Sequence, residues 1–266
     1  MNTTANHTWG NALYAVFHSG ERSSPRGIET IERLGALQRV DMRSPLTTHK
    51  ARKLSYQFAA AEALWILTGD DRVAPLLKHA PSYARYSDDG VKLFGAYGPK
   101  VVAQRPYVVT KLLEDPDSRQ AVMTIWRECP PQTKDVPCTV SVQWLIRDGK
   151  LHCIDTMRSS DLWLGWSYDV FSFTMLSLSI LLELRARGHW VEPGWLQMQC
   201  GSQHIYDKNI ERASALLDAG WDVIDYAPLA NDTFADCDEL KHFLWCWSEG
   251  QANDRWMKEV RHVAGF

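Results

Sequence analysis

The chain has 266 residues, 45 % of them hydrophobic, which is enough for one sizeable core, and a formal net charge of −3. That balance, with no long run of Lys or Arg, argues against a protein that coats nucleic acid by neutralising phosphates; a small anionic substrate needs only a few local arginines. No pair among the six cysteines is spaced Cys-x-x-Cys, so a zinc ribbon has no support and no metal site is expected.

The opening MNTTANHTWGN lacks a basic region followed by an apolar stretch, and no apolar run of about 18 residues suited to a bilayer is expected. The expected setting is a reducing cytoplasm, with the cysteines mostly free thiols. Residues 10–19 read as a helix, 20–30 as a polar loop, and the stretch to about residue 45 as strand-like. Residues 53–68, KLSYQFAAAEALWILT, carry alanines at helical spacing before a Gly-Asp-Asp stop, which predicts a buried helix. Residues 87–99, SDDGVKLFGAYGP, form a turn-rich loop, and Asp115-Pro116-Asp117-Ser118-Arg119 a turn into the apolar strand AVMTIW. Two alternating strands, TVSVQWLIR and KLHCIDTMR, are joined by Asp148-Gly149, a strong hairpin signal. A helix is predicted over 170–187, closed by Gly188, then a strand over 196–200 and a helix over 210–219 ending at Gly220. The C-terminal segment has no clear period. Without repeats or a flexible linker, one α+β domain over 1–266 is the simplest organisation.

Cys138 stands just before the first hairpin strand. A lone cysteine is most often a small buried hydrophobe, and a nucleophile needs a cation nearby to favour the thiolate. The strands that start at Thr139 and end at Arg158 are antiparallel and about equally long, so Cys138 and Arg158 meet at one end of the sheet. Glu62, flanked by alanines, forms either a salt bridge at the helix surface or a buried carboxyl suited to proton transfer. In GSQHIY, 201–206, His204 and Tyr206 share a side if the strand continues, for packing or for a ligand. Arg26, Arg119 and Arg158 each sit beside a turn, and a phosphate site needs two or more to converge. MRSSDLWLGWSYD, 157–169, ends an aromatic run on Asp169, placed to cap a helix from Val170 or to face a ligand. Most of the twelve tryptophans should be core, with some left to line a pocket for a flat ligand.

Taken in order, EALW (62–65), GAYG (95–98), DPDSR (115–119), PC (137–138), the Gln143 strand, MRSSDLWLG (157–165) and GSQHIY resemble the thymidylate synthase superfamily over most of the chain. The resemblance implies a thymidylate synthase-like α+β fold, a mixed β-sheet flanked by helices, and a homodimer joined through the sheet face. It implies a pyrimidine nucleotide substrate and 5,10-methylenetetrahydrofolate as co-substrate. Cys138 would add to C6 of the base, with Tyr97 beside it, and Glu62 would move protons through ordered water. Arg26, Arg158 and, from the second subunit, Arg119 would hold the 5′-phosphate together with Ser159. His204 and Tyr206 would bind the sugar hydroxyl, and Asp161 would lie near the folate.

The departures from that pattern are informative. The synthases carry asparagine where this chain has Asp169. An asparagine amide matches N3–H and O4 of uracil, whereas a proton-bearing carboxyl matches N3 and the exocyclic amine of cytosine. The resemblance therefore points to dCMP. Ser202 stands for an aspartate, and Tyr83 and Tyr86 stand where tryptophans face the folate. GSxHxY, VQxLIRDxK and MRSxD resemble deoxycytidylate hydroxymethylases, in which water rather than hydride quenches the exocyclic methylene. Gln120 replaces a second phosphate arginine. A methylating enzyme that releases dihydrofolate and a hydroxymethylase acting on CMP stay open, with Ser159 favouring the deoxynucleotide. A non-catalytic binding protein fits poorly with Cys138, Glu62, Arg158 and Asp169 all present.

Overall fold

The computed structural model describes residues 3–218, 225–251 and 254–265. The first half of the chain runs α1 (Ala5–Ser19), β1 (Glu21–Ser23), β2 (Thr30–Asp41), α2 (Tyr56–Leu67), α3 (Ala74–Leu77) and α4 (Gly98–Glu114). The second runs β3 (Val122–Thr124), β4 (Thr139–Arg147), β5 (Lys150–Asp161), α5 (Trp166–Ala186), β6 (Glu192–Tyr206), α6 (Asp207–Asp218), α7 (Cys237–Ser248) and α8 (Arg255–Ala264).

The hairpin predicted at Asp148-Gly149 organises the sheet. Asp148 and Gly149 both take left-handed backbone, φ 51° and 70°, which a tight two-residue turn needs to match the strand twist. β4 and β5 then pair from Arg147 opposite Lys150 back to Thr139 opposite Met157. β6 lies parallel to β5, a pairing that needs a crossover, and α5 supplies it. The strand order is β1-β2-β6-β5-β4-β3, with only β5 and β6 parallel. This is the mixed, helix-flanked sheet expected from the sequence.

α5 is apolar all round because it is covered all round: its residues from Val170 to Leu182 are buried. By length and composition it could cross a membrane, contrary to the expectation of no such run, yet 83 % of the relevant window is buried inside the protein. Trp144 ties β4 to it, its indole N–H donating to Ser177 Oγ at 2.9 Å. A fully buried side chain of this size contributes about 2–3 kcal/mol.

Several boundaries move. α1 starts at Ala5, where Thr4 accepts from the His7 N–H, rather than at Gly10. The predicted loop over 20–30 contains β1 and a one-turn 3-10 segment, Pro25–Gly27. α5 starts at Trp166, so the Asp169 N–H already donates to Gly165 O at 3.0 Å. Asp169 is therefore inside the first turn and is not the cap of a helix from Val170. β6 is continuous through GSQHIY. α4 had no counterpart in the sequence reading; it buries Val101, Val108, Val109 and Leu112 and keeps Pro106 on its exposed side. Ala219 and Gly220, the predicted end of α6, lie outside the described residues. On β2, Leu34 and Leu37 are 70 % and 55 % exposed. A shallow hollow of about 280 Å³ is lined by Leu37, Thr156, Gln199 and Gly201.

Candidate active site

Strand pairing brings the hairpin's two ends together. The Arg158 N–H donates to Cys138 O at 2.8 Å. The guanidinium is held by the loop before the nucleophile, Nε donating to Pro137 O and Nη2 to Val136 O, each at 2.9 Å. That leaves Nη2 3.8 Å and Ser159 Oγ 3.6 Å from Cys138 Sγ. Burial pushes the Cys138 thiol up; Arg158 and the Ser159 hydroxyl pull it back, and Asp169 and Asp135 add to the rise. At the start of α4, Tyr97 Oη accepts from the Thr139 N–H at 3.2 Å, and its ring stacks on Phe173. Burial, with the neighbouring Cys138 and Asp169, holds the Tyr97 phenol well above its ordinary range, so it stays a neutral O–H donor.

α2 and α5 supply a wall of carboxyls and rings. Glu62 lies one turn beyond Phe58, and the Tyr83 hydroxyl donates to its Oε1 at 2.7 Å. Phe58 packs edge-on against Tyr168 at 4.8 Å and tilted against Tyr83 at 5.2 Å, with Tyr86 edge-on to Tyr83. Burial pushes the Glu62 carboxyl up to about 7, against the Tyr83 hydrogen bond, which favours the ionised form. Among the described residues no donor reaches the Asp169 carboxyl. Burial, then Glu62 and Asp161, hold it well above the usual carboxylate range. Asp161 Oδ1 accepts from the N–H groups of Trp163 and Leu164 at 2.8 and 3.0 Å, while Oδ2 is buried without a partner. Across the β5–β6 pair it faces His204, which burial shifts toward the neutral form and Asp161 opposes. His204 and Tyr206 do share a side, their rings edge-on at 5.0 Å.

Two of the expected arginines stand apart. Arg26 is exposed in a left-handed conformation, φ 57°, on the Pro25–Gly27 turn, and its side chain makes no hydrogen bond or ion pair among the described residues. Arg119 is exposed at the β3 edge, where its carbonyl accepts from Gln143 Nε2. Neither joins the Cys138–Arg158 cluster within this chain.

Two residues at the site escaped the sequence reading. Arg52 is 9 % exposed and lies between the rings of Trp163 and Tyr168, at 5.7 and 5.6 Å. Its Nε has no partner, its Nη2 donates to Leu164 O at a long 3.4 Å, the Tyr168 hydroxyl adds a polar contact, and no carboxylate of the described residues forms an ion pair with it. No local pattern marks such a cation. Asp155 is fully buried on β5, both oxygens without a partner. The Thr139 hydroxyl beside it lowers its proton affinity but is too poorly aligned to satisfy either group. Burial and Asp169 hold Asp155 well above the usual range, so it keeps its proton. A signal existed here, because the period-2 pattern Leu151, Cys153, Asp155, Met157 puts an acid on the apolar face. Among the described residues no group of three His, Cys, Asp or Glu is arranged to hold a metal ion.

The raised Glu62 carboxyl has a consequence for stability. Below about pH 4.5 both folded and unfolded chains hold the proton and Glu62 costs nothing. As pH rises toward 7 the unfolded chain ionises first, and the fold loses up to about 3 kcal/mol. Glu62→Gln still accepts from Tyr83 and cannot titrate. It is expected to stabilise the protein at pH 8 by about 2–3 kcal/mol and far less at pH 5, as read by urea unfolding. An equal gain at both pH values would place the cost elsewhere.

A mixed sheet thus sets a thiol beside a guanidinium at one strand end, backed by buried carboxyls of raised proton affinity, and this cluster is the candidate active site. The chain belongs to the thymidylate synthase family: the family profile described as Thymidylate synthase matches residues 7–222. It is 30 % identical over 216 residues to the deoxyuridylate hydroxymethyltransferase of Bacillus phage SP01, a match covering 73 % of this chain and 55 % of that protein. The chain thus spans about half the length of that relative.

Proposed function

We propose that the protein is a folate-dependent hydroxymethyltransferase that converts dCMP, 5,10-methylenetetrahydrofolate and water to 5-hydroxymethyl-dCMP and tetrahydrofolate. The observation that carries this reading is Asp169: a carboxyl without a donor among the described residues, kept in its proton-bearing form beside Cys138 and Glu62. Such a group offers an O–H to N3 and a carbonyl oxygen to the exocyclic amine of cytosine.

In the proposed reaction Cys138 adds to C6, helped by Arg158 and Ser159, while the Asp169 proton at N3 draws electrons from the ring. C5 then attacks the one-carbon unit, which the folate co-substrate supplies. Glu62, with a proton affinity matched to neutral pH, takes the proton from C5 as the bond between the one-carbon unit and the folate nitrogen breaks and tetrahydrofolate leaves. Water adds to the exocyclic methylene that follows, and Cys138 leaves C6. The Tyr83–Tyr86–Phe58 rings and the unpartnered Asp161 Oδ2 suit the flat face and N–H groups of a pterin. His204 and Tyr206 would bind the sugar hydroxyl. Arg158 and Ser159 would hold the 5′-phosphate with Arg26 and with the partner's Arg119, in a homodimer joined through the sheet face that carries Leu37. The exposed Leu37 and the detached Arg119 support that dimer, and a monomer mass in light scattering would remove it. A cytoplasmic setting goes with six free thiols.

Mass analysis of the product tests the reading: dCMP should gain CH₂O, with tetrahydrofolate released. A gain of CH₂ with dihydrofolate would make the enzyme a methyltransferase. A second substrate, dUMP, is favoured by the name of the phage relative. Supplying dCMP, CMP and dUMP in competition separates the three, and preference for dUMP would overturn the cytosine reading.

A further inference from the structure

The nucleophile's own loop carries a carboxylate that the mechanism above leaves unused. Asp135 is half-buried three residues before Cys138, and its Oδ2 accepts from the Gly95 N–H at 2.8 Å. The approach is close: a Cβ at Gly95 would come within 2.7 Å of the Asp135 carbonyl oxygen and 3.0 Å of its carboxyl carbon. Only glycine lets the two chains meet this way. The same loops are fastened further out. Thr133 Oγ1 and the Lys134 N–H both donate to the Asp88 carboxylate, Lys134 Nζ donates to Ser87 O, and the Asp135 N–H donates to Thr133 Oγ1. Two residues beyond Gly95 stands Tyr97, whose Oη accepts from the Thr139 N–H at 3.2 Å. Asp135–Gly95 and Thr139–Tyr97 are thus two rungs between the same pair of loops, and Cys138 lies between them.

We propose that Asp135 is a positioning residue for Cys138: its bond to Gly95 fixes the nucleophile against Tyr97 and keeps a carboxylate on the nucleophile's own loop. The inference rests on the reading of Cys138 as the nucleophile and deepens it. A hydrogen bond to an ionised acceptor is about twice as strong as a neutral one, which suits a clamp. The groups around the thiol divide clearly. Arg158 and Ser159 favour the anion, Asp169 and Asp135 oppose it, and Tyr97 and Cys200 stand close by in their neutral forms. Burial raises the Asp135 carboxyl above its ordinary value, the Gly95 N–H opposes that by favouring the anion, and the more distant Asp88 adds to the rise.

Alkylation of Cys138 in the full chain, followed by peptide mass spectrometry as pH is varied, tests this without substrate. Asp135→Asn keeps an oxygen for Gly95 and loses the charge. Cys138 should alkylate about threefold faster at neutral pH, with the rate–pH curve displaced downward by about half a unit. Asp135→Ala loses the rung as well, and kcat should fall by about tenfold with KM little changed, whereas Asp135→Asn retains turnover. A rate–pH curve in Asp135→Asn that overlays the wild type would overturn the inference, as would wild-type turnover in Asp135→Ala. Should the alanine variant fail to fold, the asparagine variant still decides. A displaced alkylation curve in a protein that does not turn over dCMP would uphold the role of Asp135 and reject the substrate reading instead.

Discussion

Cys138→Ser is expected to lower turnover of the pyrimidine nucleotide by at least about a thousandfold while nucleotide affinity stays within about threefold. The serine oxygen would occupy nearly the same point, 3.6–3.8 Å from Ser159 Oγ and Arg158 Nη2. What changes is the anion. Burial leaves the thiol above its ordinary value even with the Arg158 guanidinium and the Ser159 hydroxyl pulling it down, yet a thiol remains a far stronger acid than an alcohol. An alcohol starts many orders of magnitude weaker as an acid, and no base of the described residues hydrogen-bonds to that position. Binding should survive, because on the proposed reading the phosphate, sugar and base are held by Arg158, His204, Tyr206 and Asp169 rather than by sulfur. Turnover assay and calorimetric titration of the same preparation give the two numbers. Turnover within tenfold of wild type would end the nucleophile assignment, and an unchanged assay of any kind would fit a protein that only binds.

Much of this arrangement can be read from the chain, for reasons that differ from residue to residue. The hairpin is legible because Asp148-Gly149 joins two alternating runs, and local chemistry there decides a long-range result: Cys138 and Arg158 are brought to one sheet end. α5 is legible by its length, but its start reads four residues late, because its N-cap, Gly165, has no side chain to cap the helix and sits inside an aromatic run. α4 hides behind Pro106 and an exposed face that also carries the apolar Val102 and Tyr107, which blurs its helical period; only packing of Val101, Val108, Val109 and Leu112 secures it. Asp155 breaks an apolar alternation and was visible in principle. Arg52 was not, because its burial comes from Trp163 and Tyr168, more than a hundred residues away. The carboxyl cluster shows the same limit. Glu62 and Asp169 stand out singly along the chain, but only the fold brings them together with Asp155 and Asp161, so that Glu62 and Asp161 raise the cost of ionising Asp169 and Asp169 that of Asp155.

That cluster is why the second large effect is expected at Asp169. Asp169→Asn should reduce the preference for dCMP over dUMP, measured as the ratio of kcat/KM values, by roughly a hundredfold or more. The asparagine amide presents one acceptor and one donor, matching N3–H and O4 of uracil and mispairing both edges of cytosine. Each mispaired buried group costs about 1–3 kcal/mol, and two of them set the scale. The native carboxyl does the reverse only while it holds a proton, and burial with Glu62 and Asp161 nearby raises the pH at which that proton is lost. Wild-type kcat/KM for dCMP should therefore fall as pH rises through the Asp169 transition, while the asparagine variant acting on dUMP lacks that limb. The pH profile matters because it separates base reading from simple damage: a misfolded variant loses both nucleotides at every pH, whereas a re-read base edge exchanges one for the other. Retention of cytosine preference in Asp169→Asn would move the selecting group elsewhere on the site. Arg52, a nearly buried cation along this wall whose Nε has no partner, would then be the first place to look.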